Sequence, residues 1–418
     1  MFFRSVLKNF FSLSALQAIN YITPIIVLPL VIKNIGIDKF GACNYVLGLF
    51  IFFKVTIDYG YNLSGVKQIT ENKNNPLKIN LIFSKIFFLK IYLLLFSFIL
   101  LLVFTYSLPS IKNEKQLVIL SFLVVVGQTL LPMWFYQALE KTDVLFIIGV
   151  VTRIIYVGLI LFFIQEPSDY KYVNFFLGIA DCILAIFAII YAIIKFKVRL
   201  IFMNLSSFKN ELKLNFNYAK SNLFVSTALM FPYFCLGYFA NNVVLGYYGI
   251  ADKFIQILRT SVSILHSSTF PRLISLYKKK IADFAFFVKR LYSFIFLIYI
   301  CSTLVCLFIP RQLIQIFTSS KITSKESIDV LRILSFVPLI AALDLLPTFY
   351  LLLQQKEKKY AAILFQASIF SVLSSLFFCY YFNYIGAAFS YLFTEVFILF
   401  MLLVGTRLEI IKLIKKTY

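Results

Sequence analysis

Residues 81–106 read LIFSKIFFLKIYLLLFSFILLLVFTY, and from Ile91 to Tyr106 the run carries no charge. Crossing ~30 Å of hydrocarbon takes ~20 apolar residues at a rise of ~1.5 Å each. Stretches of the same kind recur along the chain, at 11–32, 40–62, 117–138, 144–164, 172–194, 216–240, 243–269, 288–309, 328–352, 360–382 and 384–406. In 418 residues, 61% are hydrophobic, and the mean hydropathy is +0.90. No soluble core needs that much apolar sequence. The expectation is an all-α polytopic membrane protein of about 12 transmembrane helices. Pro109, Lys112, Glu114 and Lys115 separate the third and fourth runs, whereas the last two part only around Asn383 and Tyr384. The first run follows Arg4 and Lys8 and is longer than the apolar region of a signal peptide, so it is expected to remain as a span.

The basic residues orient the chain. With the N-terminus in the cytoplasm, 26 of the 40 Lys and Arg fall in cytoplasmic segments or within five residues of the cytoplasmic ends of the adjoining spans, 8 in outside segments and 6 deeper within spans. Cytoplasmic enrichment of cations is the insertion signature, so both termini are expected inside. The net charge of +22 therefore speaks for membrane insertion and anionic lipid headgroups rather than nucleic acid. Cys43, Cys182, Cys235, Cys301, Cys306 and Cys379 all lie in apolar spans and read as small buried residues, not as disulfides or metal ligands.

The longest cytoplasmic connection, Lys195 to Asn215, mixes cations with spaced apolar residues and suits an interfacial helix. It divides the chain into an N-terminal lobe (1–195), a linker (196–215) and a C-terminal lobe (216–418), six spans on either side. The halves echo one another. Gly41 precedes Lys54 by 13 residues, as Gly246 precedes Arg259, and LPMWFYQALEK in span four is answered by LPTFYLLLQQKEK in span ten. Six spans per repeat would make the repeats parallel.

A charge at mid-bilayer costs ~2.5–3.5 kcal/mol on insertion scales, so each such residue needs a reason. Lys54 and Asp58 lie in span two, Lys90 in three, Arg153 in five and Asp181 in six. Asp252, Lys253, Arg259 and His266 lie in span eight, Arg332 and Asp344 in ten, and Glu395 in twelve. Two readings stand for most of them: a wet interior shared with a ligand, or plain mutual neutralisation. Lys54 and Asp58, four apart, could simply pair. Arg332 and Lys90 could snorkel, and His266 sits near a cytoplasmic end. Arg153 and Arg259 are deep, which favours function. The substrate-facing candidates are Arg153, Arg259, Lys54, Lys253 and Lys90; Asp58, Asp181, Asp252, Asp344 and Glu395 are candidates for charge pairing or a coupling ion. Pro24, Pro29, Pro132, Pro232, Pro338 and Pro347 interrupt spans and would bend helices or free carbonyls along a cavity. The sequence contains no P-loop, HExxH, GxSxG or Cys/His cluster. Neither a cofactor nor enzymatic chemistry is expected.

Several local words carry a resemblance. Asn20-Tyr21-Ile22-Thr23-Pro24 with Pro29, Asp58-Tyr59-Gly60-Tyr61-Asn62-Leu63-Ser64, and Trp134-Phe135-Tyr136-Gln137-Ala138-Leu139-Glu140 stand in the first half. Gly246-Tyr247-Tyr248-Gly249-Ile250-Ala251-Asp252-Lys253 and Pro271-Arg272-Leu273 stand in the second. The set is colinear with, and resembles, the O-antigen flippases of the Wzx type, within the multidrug/oligosaccharidyl-lipid/polysaccharide exporter superfamily; Ala138 replaces the usual glycine.

That resemblance implies two six-helix lobes around a central cationic cavity and alternating access in the cytoplasmic membrane. It implies an undecaprenyl-pyrophosphate-linked oligosaccharide as cargo. The expected partners are that lipid-linked oligosaccharide, membrane lipids, and a polysaccharide polymerase with its chain-length regulator; no nucleic acid is expected. Forked Arg donors suit a pyrophosphate. Two other readings compete: a multidrug or small-molecule antiporter of the same superfamily, which would favour interior carboxylates, and a membrane polysaccharide polymerase, which would need a large external loop.

Overall fold

A computed structural model describes residues 2–107, 114–202, 205–279, 281–318, 324–354 and 356–406. Among these residues the regular structure is helical, without strands. Among the described residues, nine stretches are long and apolar enough to cross a membrane, against the twelve expected. Two of the nine, Ile22–Asp58 and Lys358–Gly405, contain backbone breaks at Gly36 and Asn383. Each break falls where two expected spans meet. Span eight is not among the nine.

The chain divides into two units, Met1–Ser226 and Thr227–Tyr418. Unit 1 begins with α1 (Phe2–Asp58), interrupted at Gly36, whose φ of 79° and ψ of 166° are open to glycine and strained for other residues. α2 (Tyr61–Glu71), α3 (Pro76–Ser107), α4 (Lys115–Leu130), α5 (Met133–Ala138), α6 (Thr142–Phe163) and α7 (Tyr170–Phe196) follow. α8 (Leu205–Phe239) runs from unit 1 into unit 2. The remainder is α9 (Asn242–Lys279), α10 (Ile281–Phe308), α11 (Pro310–Thr318), α12 (Lys325–Leu334), α13 (Phe336–Leu343), α14 (Leu345–Leu353) and α15 (Glu357–Gly405).

Prolines act in two ways. Pro132 stands between α4 and α5, and Pro338 and Pro347 lie just past the breaks at Ser335 and Asp344 that cut span ten into three helices. Each of these two prolines lacks an N–H for the carbonyl four residues back, at Leu334 and Leu343. Pro24, Pro29 and Pro232 stay inside continuous helices. At Pro232 the freed carbonyl is Ala228 O, and Ser371 Oγ donates to it at 2.8 Å. In hydrocarbon such replacement donors are what makes an internal proline tolerable.

Unit 1 is held by an aromatic core. Trp134, Phe135 and Tyr136 of α5 are fully buried with Tyr61 and Phe83, against Ala188 and Ala192 of α7. The Phe83 and Trp134 rings lie 5.4 Å apart, and the Tyr136 hydroxyl donates to Ala188 O. α4 and α7 approach so closely that a Cβ on Gly127 would stand 2.5 Å from the Asp181 carbonyl carbon, and one on Gly178 would stand 2.7 Å from Val124 N. Small residues at such crossings let backbones meet and maximise dispersion contact, which drives helix association in lipid.

The connection between α7 and α8 carries no regular structure over 197–202. Its backbone is satisfied by α3 side chains: Arg199 N donates to Asn80 Oδ1 (3.1 Å) and Ile201 N to Ser84 Oγ (2.8 Å). The first half of α8 then binds unit 1. Lys85 Nζ sits 2.9 Å from Glu211 Oε1, and Asn215 Nδ2 donates to Tyr61 Oη at 3.0 Å.

Candidate functional site

In unit 1 the word Asp58-Tyr59-Gly60-Tyr61 ends α1 and starts α2. Tyr59 and Gly60 both take positive φ, 48° and 82°, turning the chain within two residues. That turn buries Asp58 and Tyr61. Asp58 Oδ1 lies 2.7 Å from Lys90 Nζ on α3. Asp58 thus meets Lys90, not its sequence neighbour Lys54, and Lys90 is buried rather than reaching for the membrane surface.

A second pair joins α6 to α7. Arg153 Nη2 lies 2.8 Å from Asp181 Oδ1, and Gln128 Nε2 of α4 donates to Asp181 Oδ2 at 2.9 Å. The Gly127 contact fixes α4 beside Asp181 and so brings Gln128 within reach.

Both in-span carboxylates of unit 1 are therefore matched with cations. Lys54 is left over. Its side chain is exposed, lies within electrostatic reach of Asp58, Asp181, Lys90 and Arg153, and makes no ion pair or hydrogen bond among the described residues. By helix rise it stands about 12 Å from the inner end of its expected span.

Unit 2 gathers a different set. Arg259 Nη2 of α9 lies 2.7 Å from Glu395 Oε1 of α15, with Glu395 fully buried. Asp344, at the break between α13 and α14, lies within electrostatic reach of both of them. Tyr391 and Tyr360 of α15 complete the surroundings. Asp252 is capped within its own helix, Gln256 Nε2 donating to its Oδ2 at 2.6 Å. Lys253 is half-buried beside it with no ion pair or hydrogen bond among the described residues. Arg332 is exposed. The side chains of His266 and of Pro271-Arg272-Leu273 lie outside the described residues.

Gln128 and the tyrosines are not among the candidates that the sequence offers. Gln128 carries a signal, a polar residue within an apolar run; Tyr360 and Tyr391 carry none among the 26 tyrosines of the chain. Among the described residues no group of three metal-ligating side chains converges.

The fold is that of known transporters. One solved structure, an inward-facing multidrug resistance MATE family transporter of the MOP superfamily, superposes with a TM-score of 0.76 at 12% identity, covering 95% of this chain and 96% of that chain. The lipid II flippase MurJ, in an inward closed conformation, gives 0.76 at 13% identity, covering 94% and 87%.

In sequence, a proposed O-antigen transporter of Escherichia coli (strain K12) is 23% identical over 410 residues, covering 96% of this chain and 97% of its own. One of Shigella dysenteriae is 25% identical over 402 residues, covering 94% and 98%. The resemblance carried by the motifs thus extends over nearly the whole length. A family model described as polysaccharide biosynthesis protein matches residues 6–277, and the chain belongs to that family.

Proposed function

We propose that this protein is a flippase for undecaprenyl-pyrophosphate-linked oligosaccharide repeat units, such as those of O-antigen, working by alternating access and ion coupling in the cytoplasmic membrane. Both termini are cytoplasmic in this reading. The observation that carries it is Lys54: an amine side chain at membrane depth that makes no ion pair or hydrogen bond among the described residues once Lys90 and Arg153 have taken the carboxylates of unit 1. Keeping an unpaired charge there costs ~2.5–3.5 kcal/mol, and an anionic ligand would offset that cost. A pyrophosphate head group has the charge, and the polyprenyl tail stays in lipid, so only the polar head needs a wet path. Lys253 offers a second cation in unit 2. The family match and the named relatives support the cargo class. The protein itself makes and breaks no covalent bond in this reading. A polymerase and a chain-length regulator would act on the delivered units outside.

The test is a clean gene deletion in a strain without a second flippase. A complete repeat unit on undecaprenyl pyrophosphate should accumulate in the inner leaflet, identified by mass spectrometry, and surface polysaccharide should vanish. Complementation by wild type should restore it, and complementation by Lys54→Ala should not. Normal surface polysaccharide in the deletion would overturn the proposal.

A further inference from the structure

In unit 2, Asp344 Oδ1 and Arg259 Nε are buried polar atoms without a hydrogen-bond partner among the described residues. They belong to one cluster. Its charges are two carboxylates, Asp344 and Glu395, and one guanidinium, Arg259. The guanidinium sits on Glu395 at 2.7 Å. Among the described residues, the titratable groups within electrostatic reach of Asp344 from the elements packed around it are Arg259 of α9, Tyr292 of α10, and Glu395 and Tyr360 of α15. Of the α12 charges, Lys325 and Arg332 are exposed, while Glu326 and Asp329 act on Tyr384. Among the described residues, one positive charge thus serves two buried carboxylates. Two ionised carboxylates at this depth repel one another, and the one without a counter-charge bears a desolvation cost of several kcal/mol.

Two ligands could relieve it, a proton or a metal cation. A hard cation wants a shell of about six oxygens. Here the second carboxylate is already covered by a guanidinium, which repels a cation. Among the described residues no third metal-ligating side chain joins them. The proton suits the site better. Asp344 also stands where the helix is broken: the Leu343 carbonyl lacks a helical donor because of Pro347, so the backbone there can bend without breaking a further hydrogen bond.

We propose that Asp344 is a proton-binding residue of unit 2, holding a proton while Arg259 is engaged by Glu395 and releasing it when the guanidinium turns to Asp344. On release the O–H bond breaks, both electrons stay on the carboxylate, and the proton passes to water. The role of this step in transport rests on the flippase reading; the proton site itself does not.

The experiment uses the purified full-length protein in detergent, followed by infrared difference spectroscopy through a pH titration. The expected result is a carbonyl band of a protonated buried carboxyl that titrates, is absent in Asp344→Asn, and is unmoved by sodium chloride at constant pH. A band that persists in Asp344→Asn, or one removed by sodium, would overturn the proton site. A parallel assay tests coupling: Asp344→Asn should abolish surface polysaccharide at wild-type protein levels, with partial activity in Asp344→Glu. Loss of the band with full surface polysaccharide would leave the proton site standing and overturn its role in transport.

Discussion

Lys90 Nζ lies 2.7 Å from Asp58 Oδ1, both side chains buried, while Lys54 stands one helical turn before Asp58 and is bound to neither. The turn at Tyr59 and Gly60 ends α1 just after the carboxylate. α3 then passes alongside and supplies the ammonium. A same-helix pair at four residues is worth only ~0.3–0.5 kcal/mol at an exposed site; a buried cross-helix pair is a stronger structural constraint. The cation in the first half that matches Arg259 in spacing is therefore free for another use.

This pairing makes a stability prediction. Removing one partner of a buried pair typically costs ~3–5 kcal/mol, because the other charge is stranded. Lys90→Ala and Asp58→Ala should each lower the thermal unfolding temperature of the detergent-solubilised protein. The double change Lys90→Met with Asp58→Asn should recover most of it. Lys54→Ala should leave the unfolding temperature near wild type. Coupling of Asp58 to Lys54 instead of Lys90 in a double-mutant cycle would refute the assignment.

The α4–α7 crossing makes a second. A Cβ on Gly127 would stand 2.5 Å from backbone atoms of Asp181 and Cys182, so the helices must part. Overpacking of this kind costs ~1–3 kcal/mol, and it would also pull Gln128 from Asp181. Gly127→Ala should reduce folded protein in the membrane. Gly158→Ala is the control: nothing lies within 4 Å of its added Cβ, and helix propensity favours alanine. Equal folded yields from the two variants would count against the close crossing.

Pro232 supplies a third. Ser371 Oγ donates to the Ala228 carbonyl that Pro232 leaves unpaired. Interhelical hydrogen bonds in membranes average ~0.6 kcal/mol, but here the alternative is an orphan carbonyl in hydrocarbon. Ser371→Ala should cost about 1 kcal/mol in unfolding free energy. Adding Pro232→Ala should recover it, since alanine restores the helical N–H. A Ser371→Ala penalty undiminished by Pro232→Ala would show that the serine acts through some other contact.

Hydropathy placed the apolar runs because crossing lipid leaves little freedom in length or composition. The motif residues Asp58, Gly60, Tyr61 and Trp134 stood out as words, and the structure gives them turn, pairing and core roles. Pairing was less legible. Lys54 and Asp58 are neighbours in sequence, so a helical pattern joins them; Lys90 is 32 residues away and meets Asp58 only through the packing of α1 on α3. The connection at 196–215 read as an amphipathic helix because cations mix with spaced apolar residues there; 205–215 is helical, as the start of α8, whereas 197–202 is not, and Asn80 and Ser84 supply the partners for its backbone. Asp344 was visible as an in-span charge, but its place on a helix break depends on Pro347 acting together with neighbouring helices.

Orientation gives a fourth prediction, resting on the 26 to 8 division of cations. In a protein stripped of its six cysteines, single cysteines at Asn113 and Ser319 should react with an impermeant thiol reagent added outside intact cells. Cysteines at Ser206 and Glu357 should react only after permeabilisation. Outside labelling at Ser206 would reverse the topology.

The last prediction concerns the two arginines. Arg153 and Arg259 each sit on a buried carboxylate, at 2.8 and 2.7 Å, so substitution of either alone mixes two effects. Arg259→Ala strands Glu395 and leaves Asp344 without its nearest cation; protein level and surface polysaccharide should both fall. Arg259→Gln with Glu395→Gln removes charge in balance and should restore the protein level. If the arginine only neutralises Glu395, surface polysaccharide returns with it. If its charge is used during transport, polysaccharide stays absent while the protein accumulates, and that is the expected outcome. Arg153→Gln with Asp181→Asn is the matching pair in unit 1. Arg→Lys at either position separates charge from geometry, because lysine keeps the charge and loses the forked donors that suit a carboxylate or pyrophosphate. Partial activity is expected if charge dominates and almost none if the fork does. Wild-type surface polysaccharide from both charge-balanced double variants would remove the arginines from the mechanism and leave Lys54 and Lys253 as the cations available to the cargo.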